Sequence, residues 1–261
     1  MNVLSFGINR DGRDFVVGDI HGEFSLLEKS LSALGFDRSV DRLFGCGDLI
    51  DRGPESERVI EYLAADWFFS VKGNHDALPM QALDGLLEED EDVWKEWVEN
   101  LGGDWARRVP LKALKEIAIA LSDLPVVMEI ETVNGLMGIS HAEPEIGADW
   151  SAIKLALENG DRNAIQRHLW SRERIKTYRS IHQSSPAWAV PGVDRLFMGH
   201  NIVGTPTLIE NLHYIDTGAF SPVGALSLVE ISVEGFREYV FPHCQPGYVL
   251  AFVRAGAQGA A

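Results

Sequence analysis

Residues 42–53 read Arg-Leu-Phe-Gly-Cys-Gly-Asp-Leu-Ile-Asp-Arg-Gly, and this stretch decides the fold. Leu43 and Phe44 are a short apolar run of strand type. Gly45 and Gly47 then permit a tight turn, so that Asp48, Asp51 and Arg52 land at the C-terminal edge of a strand. The arrangement recurs on both sides. Residues 14–22 read Asp-Phe-Val-Val-Gly-Asp-Ile-His-Gly, and residues 68–76 read Phe-Phe-Ser-Val-Lys-Gly-Asn-His-Asp. Each copy sets an oxygen ligand directly after glycine: Gly18-Asp19, Gly47-Asp48 and Gly73-Asn74. One such sequence is a turn. Three at near-even spacing describe neighbouring strands that deliver ligands to one place.

The rest of the chain fits an α/β arrangement. Residues 3–8 form a short edge strand, followed by the turn signal Asn9-Arg10-Asp11-Gly12. Strand 15–17, helix 25–34, strand 42–46, a helix opened by Pro54 and running to 62, and strand 67–71 alternate, which implies parallel pairing with right-handed crossovers. Residues 84–99 carry the run Glu88-Glu89-Asp90-Glu91-Asp92 and then Trp94 and Trp97, three apart on one helical face; this reads as a solvated acidic helix docked by two tryptophans. Residues 109–121 have the spacing of an amphipathic helix, and Asn134-Gly135 joins strands 126–133 and 136–140 in a hairpin. A charged helical stretch at 150–174, a strand at 195–198, and strands at 226–231 and 236–241 follow, and the tail 254–261 is expected to fray. We expect a single domain over 1–261, with a helical insertion at about 84–123 and a helical middle segment at about 150–175.

Bulk properties narrow the function. The 261 residues are 46% hydrophobic with a mean hydropathy of -0.04, which suits a globule with a sizeable core. Thirty-nine acidic against 23 basic residues give a net charge of -16 and a pI near 4.8. That field disfavours nucleic acid or an anionic membrane as the main partner, while divalent cations in a carboxylate cluster would offset it locally. Cys46 and Cys244 form neither a metal-type pair nor a disulfide framework, and Cys46 reads as a small core side chain. No stretch reaches transmembrane length and the first ten residues lack a signal-type pattern, so a cytoplasmic location is expected. The oligomeric state has no signature.

In open α/β sheets, ligands bind beyond the carboxyl ends of the strands. The groups there are Asp19, His21, Asp48, Asn74, His75, His141 and His200, a set of oxygen and imidazole donors that matches a two-metal hydrolase site. Caps and turns would account for Asp19 or Asn74 alone, but they strain to account for all of them. His168, His182, His213 and His243 lack the pattern.

These motifs, in order, resemble the signature of calcineurin-like metallophosphoesterases: Gly18-Asp-Ile-His-Gly22, Gly47-Asp-Leu-Ile-Asp-Arg-Gly53, Gly73-Asn-His-Asp76, Ser140-His141-Ala142 and Gly199-His200. The chain is most similar to the phosphoprotein phosphatase branch and its small bacterial and phage-type Ser/Thr protein phosphatases. The resemblance implies mixed sheets sandwiched by helices around a β-α-β-α-β ligand-bearing core. It implies two divalent metal ions, with Asp19, His21 and His200 on one, Asn74 and His141 on the other, and Asp48 bridging. A hydroxide between the ions would attack phosphorus in line with the leaving group. His75 would be the general acid and Asp51 its orienting partner, while Arg52 and Arg172, with Arg174 as a rival, would bind phosphate.

The donor set suits manganese, iron or zinc better than magnesium, and the resemblance favours manganese. Three residues depart from the family pattern. Asp76 stands where glutamate is frequent and would cap the next helix. Glu143 stands where glycine is frequent, either charging the pocket mouth or turning before Pro144. Asn201 stands where threonine is common. The implied function is a metal-dependent phosphomonoesterase acting on phosphorylated protein, peptide or small phosphoesters. The alternative is a dinucleoside tetraphosphatase with the same metal chemistry. A binding module that has lost catalysis finds little support, because every candidate ligand and His75 are present.

Overall fold

The computed structural model describes residues 1–243 and the backbone of 250–255. In chain order it contains β1 (Val3–Phe6), β2 (Asp14–Val17), α1 (Phe24–Ala33), β3 (Arg42–Gly45), α2 (Val59–Leu63), β4 (Phe68–Ser70), α3 (Asn74–Leu87), α4 (Asp92–Asn100) and α5 (Leu111–Ser122). There follow β5 (Val127–Thr132), β6 (Gly135–Ser140), α6 (Trp150–Glu158), α7 (Arg162–Trp170), α8 (Glu173–Ile181), β7 (Arg195–Met198), β8 (Thr207–Ile209), β9 (Leu212–Tyr214), β10 (Ala225–Ser232), β11 (Gly235–Pro242) and β12 (Leu250–Ala255). No helix among the described residues is long and apolar enough to cross a membrane.

The strands form two six-stranded mixed sheets, ordered β1-β5-β6-β7-β9-β8 and β12-β11-β10-β2-β3-β4. β2, β3 and β4 pair in parallel, as their alternation with helices requires. The second ligand-bearing pair, β6 and β7, is also parallel, and β5 with β6 is the hairpin signalled by Asn134-Gly135.

Side chains on a strand alternate faces, and here that alternation divides the core. Val16 and Phe44 point between the sheets, where they meet Met128, Ile139 and Phe197 of the opposite sheet. Phe15, Val17 and Leu43 point the other way, under a layer that includes Leu27 of α1, Leu78 of α3 and Leu114 of α5. Trp150 and Ile153 of α6 and Ile175 of α8 cover Leu196 and Met198 on the far side. The architecture is therefore helix, sheet, sheet, helix, as expected for the α/β class. It brings the carboxyl ends of β2, β3 and β4 to the same rim as those of β6 and β7.

Local departures from the expected elements have visible causes. Pro54 does not open an α-helix; a 3-10 turn at Ser56–Arg58 precedes α2. The segment is pinned instead to the first ligand loop and the start of α1: Glu55 N donates to the Gly22 carbonyl at 3.1 Å, and its carboxylate accepts from the Ser25 backbone N–H and hydroxyl at 2.6 and 2.7 Å. The acidic stretch is two helices, because five successive like charges at 88–92 disfavour a continuous helix and the break falls there, with Glu89 at φ 62°. The helical middle runs on to Ile181. Arg254 and Ala255, expected to fray, close β12 on β11; Cys244 and residues 256–261 lie outside the described residues.

Phe197 is fully buried between the sheets, in ring contact with His213 at 5.3 Å and Phe236 at 5.9 Å. Phe197→Ala is expected to lower unfolding stability by about 3–5 kcal/mol through lost burial and a residual cavity. Urea denaturation measures it, and an unchanged midpoint would contradict this packing.

Candidate metal centre

Each candidate ligand stands on a loop just past a strand. Asp19 and His21 follow β2, Asp48, Asp51 and Arg52 follow β3, Asn74 and His75 open α3 after β4, His141 follows β6 and His200 follows β7. All six candidate metal ligands are buried. The loops turn sharply. Of eight non-glycine residues with positive φ among the described residues, five are here: His21, Asp48, Asp51, Arg52 and His200. Such backbone costs on the order of 1–2 kcal/mol per residue and persists only where its surroundings enforce it. Glycine makes the approach possible. A Cβ on Gly73 would lie 2.1 Å from an Asp48 oxygen, and one on Gly199 would lie 1.8 Å from an Asp19 oxygen.

The imidazoles are oriented by their backbone partners. His21 Nδ1 donates to the Ile50 carbonyl at 2.9 Å, and His141 Nδ1 donates to the Cys46 carbonyl at 2.8 Å. A carbonyl only accepts, so in each neutral ring the lone pair is on Nε2, which faces the pocket. His21 Nε2 is 3.5 Å from one Asp48 oxygen, and His141 Nε2 is 3.4 Å from the other. Burial pushes His21 and His200 down to about 3 and also lowers His141, so all three rings are neutral at pH 7, the metal-binding form. Burial pushes Asp48 up, but His141, His75 and His21 outweigh it and hold the carboxylate well below its usual range.

Among the described residues, two groups of side chains could each hold a metal ion: His21, Asp48 and His75, and Asp48, His141 and His200, with the ligand atoms of each group within 4.8 Å of one another. Asp48 belongs to both. The polar atoms around it fit a bound cation. His141 Nε2 faces Asn74 Oδ1 at 2.9 Å, acceptor to acceptor, and a cation held by both relieves that contact. His200 Nε2 is buried with no hydrogen-bonding partner among the described residues. Asp19 is driven well above its usual pKa by burial, then by Asp216 and Asp48. Asp216 is pushed up to about 6, chiefly by burial. Crowded carboxylates of this kind are relieved by bound positive charge.

The grouping differs from that implied by the resemblance: Asp19 falls in neither group, His75, implied as the general acid, joins His21 and Asp48, and His200 changes sides. The ring of His200 lies against His141, 4.9 Å between centroids, and joins Asp48 and His141 rather than Asp19 and His21. Its backbone N–H stays with Asp19, donating to the two carboxylate oxygens at 3.0 and 3.2 Å.

Beside this centre, His75 Nδ1 is 2.8 Å from Asp51 Oδ2. Burial lowers the His75 pKa, but Asp48 and then Asp51 outweigh it and hold the ring above the ordinary histidine value. The Arg52 guanidinium lies over Phe220, 4.6 Å from its centroid, with one nitrogen 2.8 Å from His21 Nε2 and another 2.8 Å from His75 Nε2. Asp76 ties the two loops together: it accepts from Gly73 N at 2.8 Å, as a helix cap, and from Leu49 N at 2.9 Å. Burial, then Asp48, pushes Asp76 up to about 7.

The two rival arginines separate. Arg172 Nη1 donates to the His200 carbonyl at 2.9 Å and to Asn201 Oδ1 at 3.2 Å, which puts it at the rim of the centre. Arg174 is buried elsewhere, its guanidinium on the carbonyls of Pro144 and Glu145. Glu143 neither charges the pocket mouth nor merely turns the chain. It is buried and caps α8, accepting from Arg174 N at 2.6 Å, Ile175 N at 3.0 Å and the Tyr214 hydroxyl at 3.0 Å. His168 packs against the Ser140 hydroxyl at 2.6 Å, His213 faces Glu238 at 3.0 Å, His182 is exposed and His243 lies beside Glu23. None of the four joins the centre. The stretch Asp216-Thr-Gly-Ala219 also resembles the family pattern, but that likeness alone does not assign its charge to the centre, and the contacts that Trp97 and Trp105 make with Asp51 have no sign in the sequence.

A family model described as calcineurin-like phosphoesterase matches residues 15–204. Serine/threonine-protein phosphatase 2 of Salmonella typhimurium is 35% identical over 223 residues, covering 83% of this chain and 92% of that protein. A symmetrical bis(5'-nucleosyl)-tetraphosphatase of Shewanella sp. is 36% identical over 105 residues, 37% of this chain and 38% of that protein. Among solved structures, a Saccharomyces cerevisiae protein serine/threonine phosphatase with similarity to human phosphatase PP5 superposes with a TM-score of 0.59 at 15% identity, covering 93% of this chain and 84% of that one. At that identity the likeness is one of fold.

Glu143→Ala removes the cap of α8 and strands the Tyr214 hydroxyl, so it is expected to cost about 2–4 kcal/mol of stability while leaving metal binding intact. Chemical denaturation alongside metal titration checks this. Unchanged stability with altered metal affinity would return Glu143 to the pocket mouth.

Proposed function

The chain belongs to the calcineurin-like phosphoesterase family, and from that membership and the pocket's geometry we propose that it hydrolyses phosphoserine and phosphothreonine esters in proteins. The observation that carries this reading is the single buried Asp48 facing two imidazole groups, with an acid pair and two arginines on its border. In this reading Asp19, His21 and Asp48 hold one divalent ion, and Asp48, Asn74, His141 and His200 hold the other. When bound, the ions neutralise phosphoryl charge and supply a nucleophile from water. Manganese is our choice of metal; the mixed nitrogen and oxygen donors also suit iron and zinc.

The chain's own groups account for the remaining steps. Arg172, tied to the His200 carbonyl and Asn201, presents its guanidinium to the phosphoryl oxygens. Arg52 does the same from the opposite side. Because His21 Nε2 cannot both accept from Arg52 and hold a metal, this reading requires the Arg52 guanidinium to leave His21 for the phosphoryl group. His75 Nε2, 2.8 Å from the second Arg52 nitrogen, is freed by the same movement; with Nδ1 on Asp51 it then carries the transferable proton and delivers it to the departing serine or threonine oxygen. The charge of Asp51 offsets the imidazolium before transfer. Support for a protein substrate comes from the extent of likeness. The Salmonella phosphatase matches through most of both chains, whereas the tetraphosphatase matches through little more than a third.

Turnover of a phosphoseryl peptide and of diadenosine tetraphosphate, compared under manganese titration, tests the substrate class. We expect the peptide to be hydrolysed faster; cleavage of the dinucleotide alone would reverse the reading. Arg172→Ala is expected to lower kcat/KM for the peptide about 10–100-fold, as for a lost charge-assisted contact. Steady-state kinetics reads this, and a loss under twofold would remove Arg172 from the phosphate site.

A further inference from the structure

We propose that Trp97 and Trp105 are positioning residues of the His75–Asp51 pair, so that the segment 92–108 aims the proton donor at the leaving group. The inference rests on the phosphomonoesterase reading above and adds to it the residues that set the acid's direction.

Asp51 has no solvent exposure. Its Oδ1 accepts from Trp105 Nε1 at 2.7 Å, and its Oδ2 accepts from Trp97 Nε1 at 2.9 Å and from His75 Nδ1 at 2.8 Å. An indole nitrogen can only donate. Both tryptophans are buried, at 0% and 1% exposure, and their rings meet edge to face at 5.9 Å. Packing alone would not direct both nitrogens, one from α4 and one from the 3-10 turn at Asp104–Arg108, onto the two oxygens of one carboxylate.

The backbone closes the same grip. Arg52 N donates to the Gly102 carbonyl at 3.0 Å, in a loop where Asp51 and Arg52 have φ of 74° and 68°. The two glycines there are needed for the approach. A Cβ on Gly102 would lie 2.7 Å from Arg52 N, and one on Gly103 would lie 2.4 Å from Trp97 Nε1. Residues 97, 102 and 105 thus hold residues 51 and 52 at three points.

The consequence is directional. Two fixed donors lock the plane of the Asp51 carboxylate, and that plane sets the line along which His75 Nδ1 is held. The opposite ring nitrogen, Nε2, then points into the pocket. Release of either indole lets the carboxylate rotate and the imidazole swing with it. The loss matters only where the leaving group needs a proton: an alkoxide such as that of serine does, and a dinitrophenolate does not.

The full-length, metal-loaded chain tests this in two ways, carrying diamagnetic zinc for the spectra and manganese for the kinetics. In ¹⁵N–¹H spectra, the seven tryptophans give indole signals of which Trp97→Phe and Trp105→Phe each remove one. Asp51→Asn is expected to shift those two upfield. Kinetically, each Trp→Phe variant is expected to lose about 10–100-fold in kcat on a phosphoseryl peptide but less than about threefold on 2,4-dinitrophenyl phosphate, with His75→Gln showing the same pattern at larger size. The nitrophenyl ester also reports that the variant is folded and loaded. Equal losses on the two esters, or indole signals unmoved by Asp51→Asn, overturn the proposal. A wild-type chain inactive on both esters instead overturns the phosphomonoesterase reading, and the spectra still decide whether the indoles hold Asp51.

Discussion

A buried carboxylate facing three imidazoles is the constraint on which the rest of the structure depends. Asp48 is buried among the rings of His141, His75 and His21, and its pKa stays well below the usual range although burial pushes it up. Its two oxygens face opposite groups of donors, and its Oδ1 also receives the His75 backbone N–H at 2.9 Å. Asp19 and Asp216 crowd the same space with like charge. Left to protein atoms alone, this arrangement concentrates repulsion and strained backbone in one place. Bound cations would relieve the repulsion, because the carboxylates would then face opposite charge.

The two-sheet core makes that convergence possible. Asp19, Asp48 and Asn74 arrive from one sheet, His141 and His200 from the other, and only face-to-face packing through Phe44, Met128 and Phe197 brings the strand ends together. The close contacts that glycines 73 and 199 permit then fix how near the loops can come. Stability and chemistry therefore share one source. The pocket's dimensions follow from the distance between the sheets.

Much of this could be read from the chain alone, for a local reason. An apolar run, a glycine and a polar residue lie within a few residues of one another, so β2, β3, the start of α3 and the hairpin β5–β6 were all legible, as was the placement of the six candidate ligands just past strands. Features set by distant parts of the chain were not. His200 reaches Asp19 with its backbone and His141 with its ring, and its position after β7 cannot say which contact governs. Arg172 and Arg174 differ by two places yet face opposite ways, because Glu143, some thirty residues earlier, captures the start of α8. Trp97 was recognisable as a docking side chain, but its hydrogen bond to a residue 46 positions away has no local signature, and neither has that of Trp105. The break at 88–91 was likewise hidden, since the helical spacing of the tryptophans outweighed the charge repulsion in that reading.

The central claim is that Asp48 is common to two cation sites. Metal content after loading with manganese and extensive dialysis, measured by mass spectrometry on the wild-type chain and on Asp48→Asn, addresses it most directly. The structure predicts two ions per chain in the wild type and the loss of both in the variant. Retention of both ions by Asp48→Asn would contradict it.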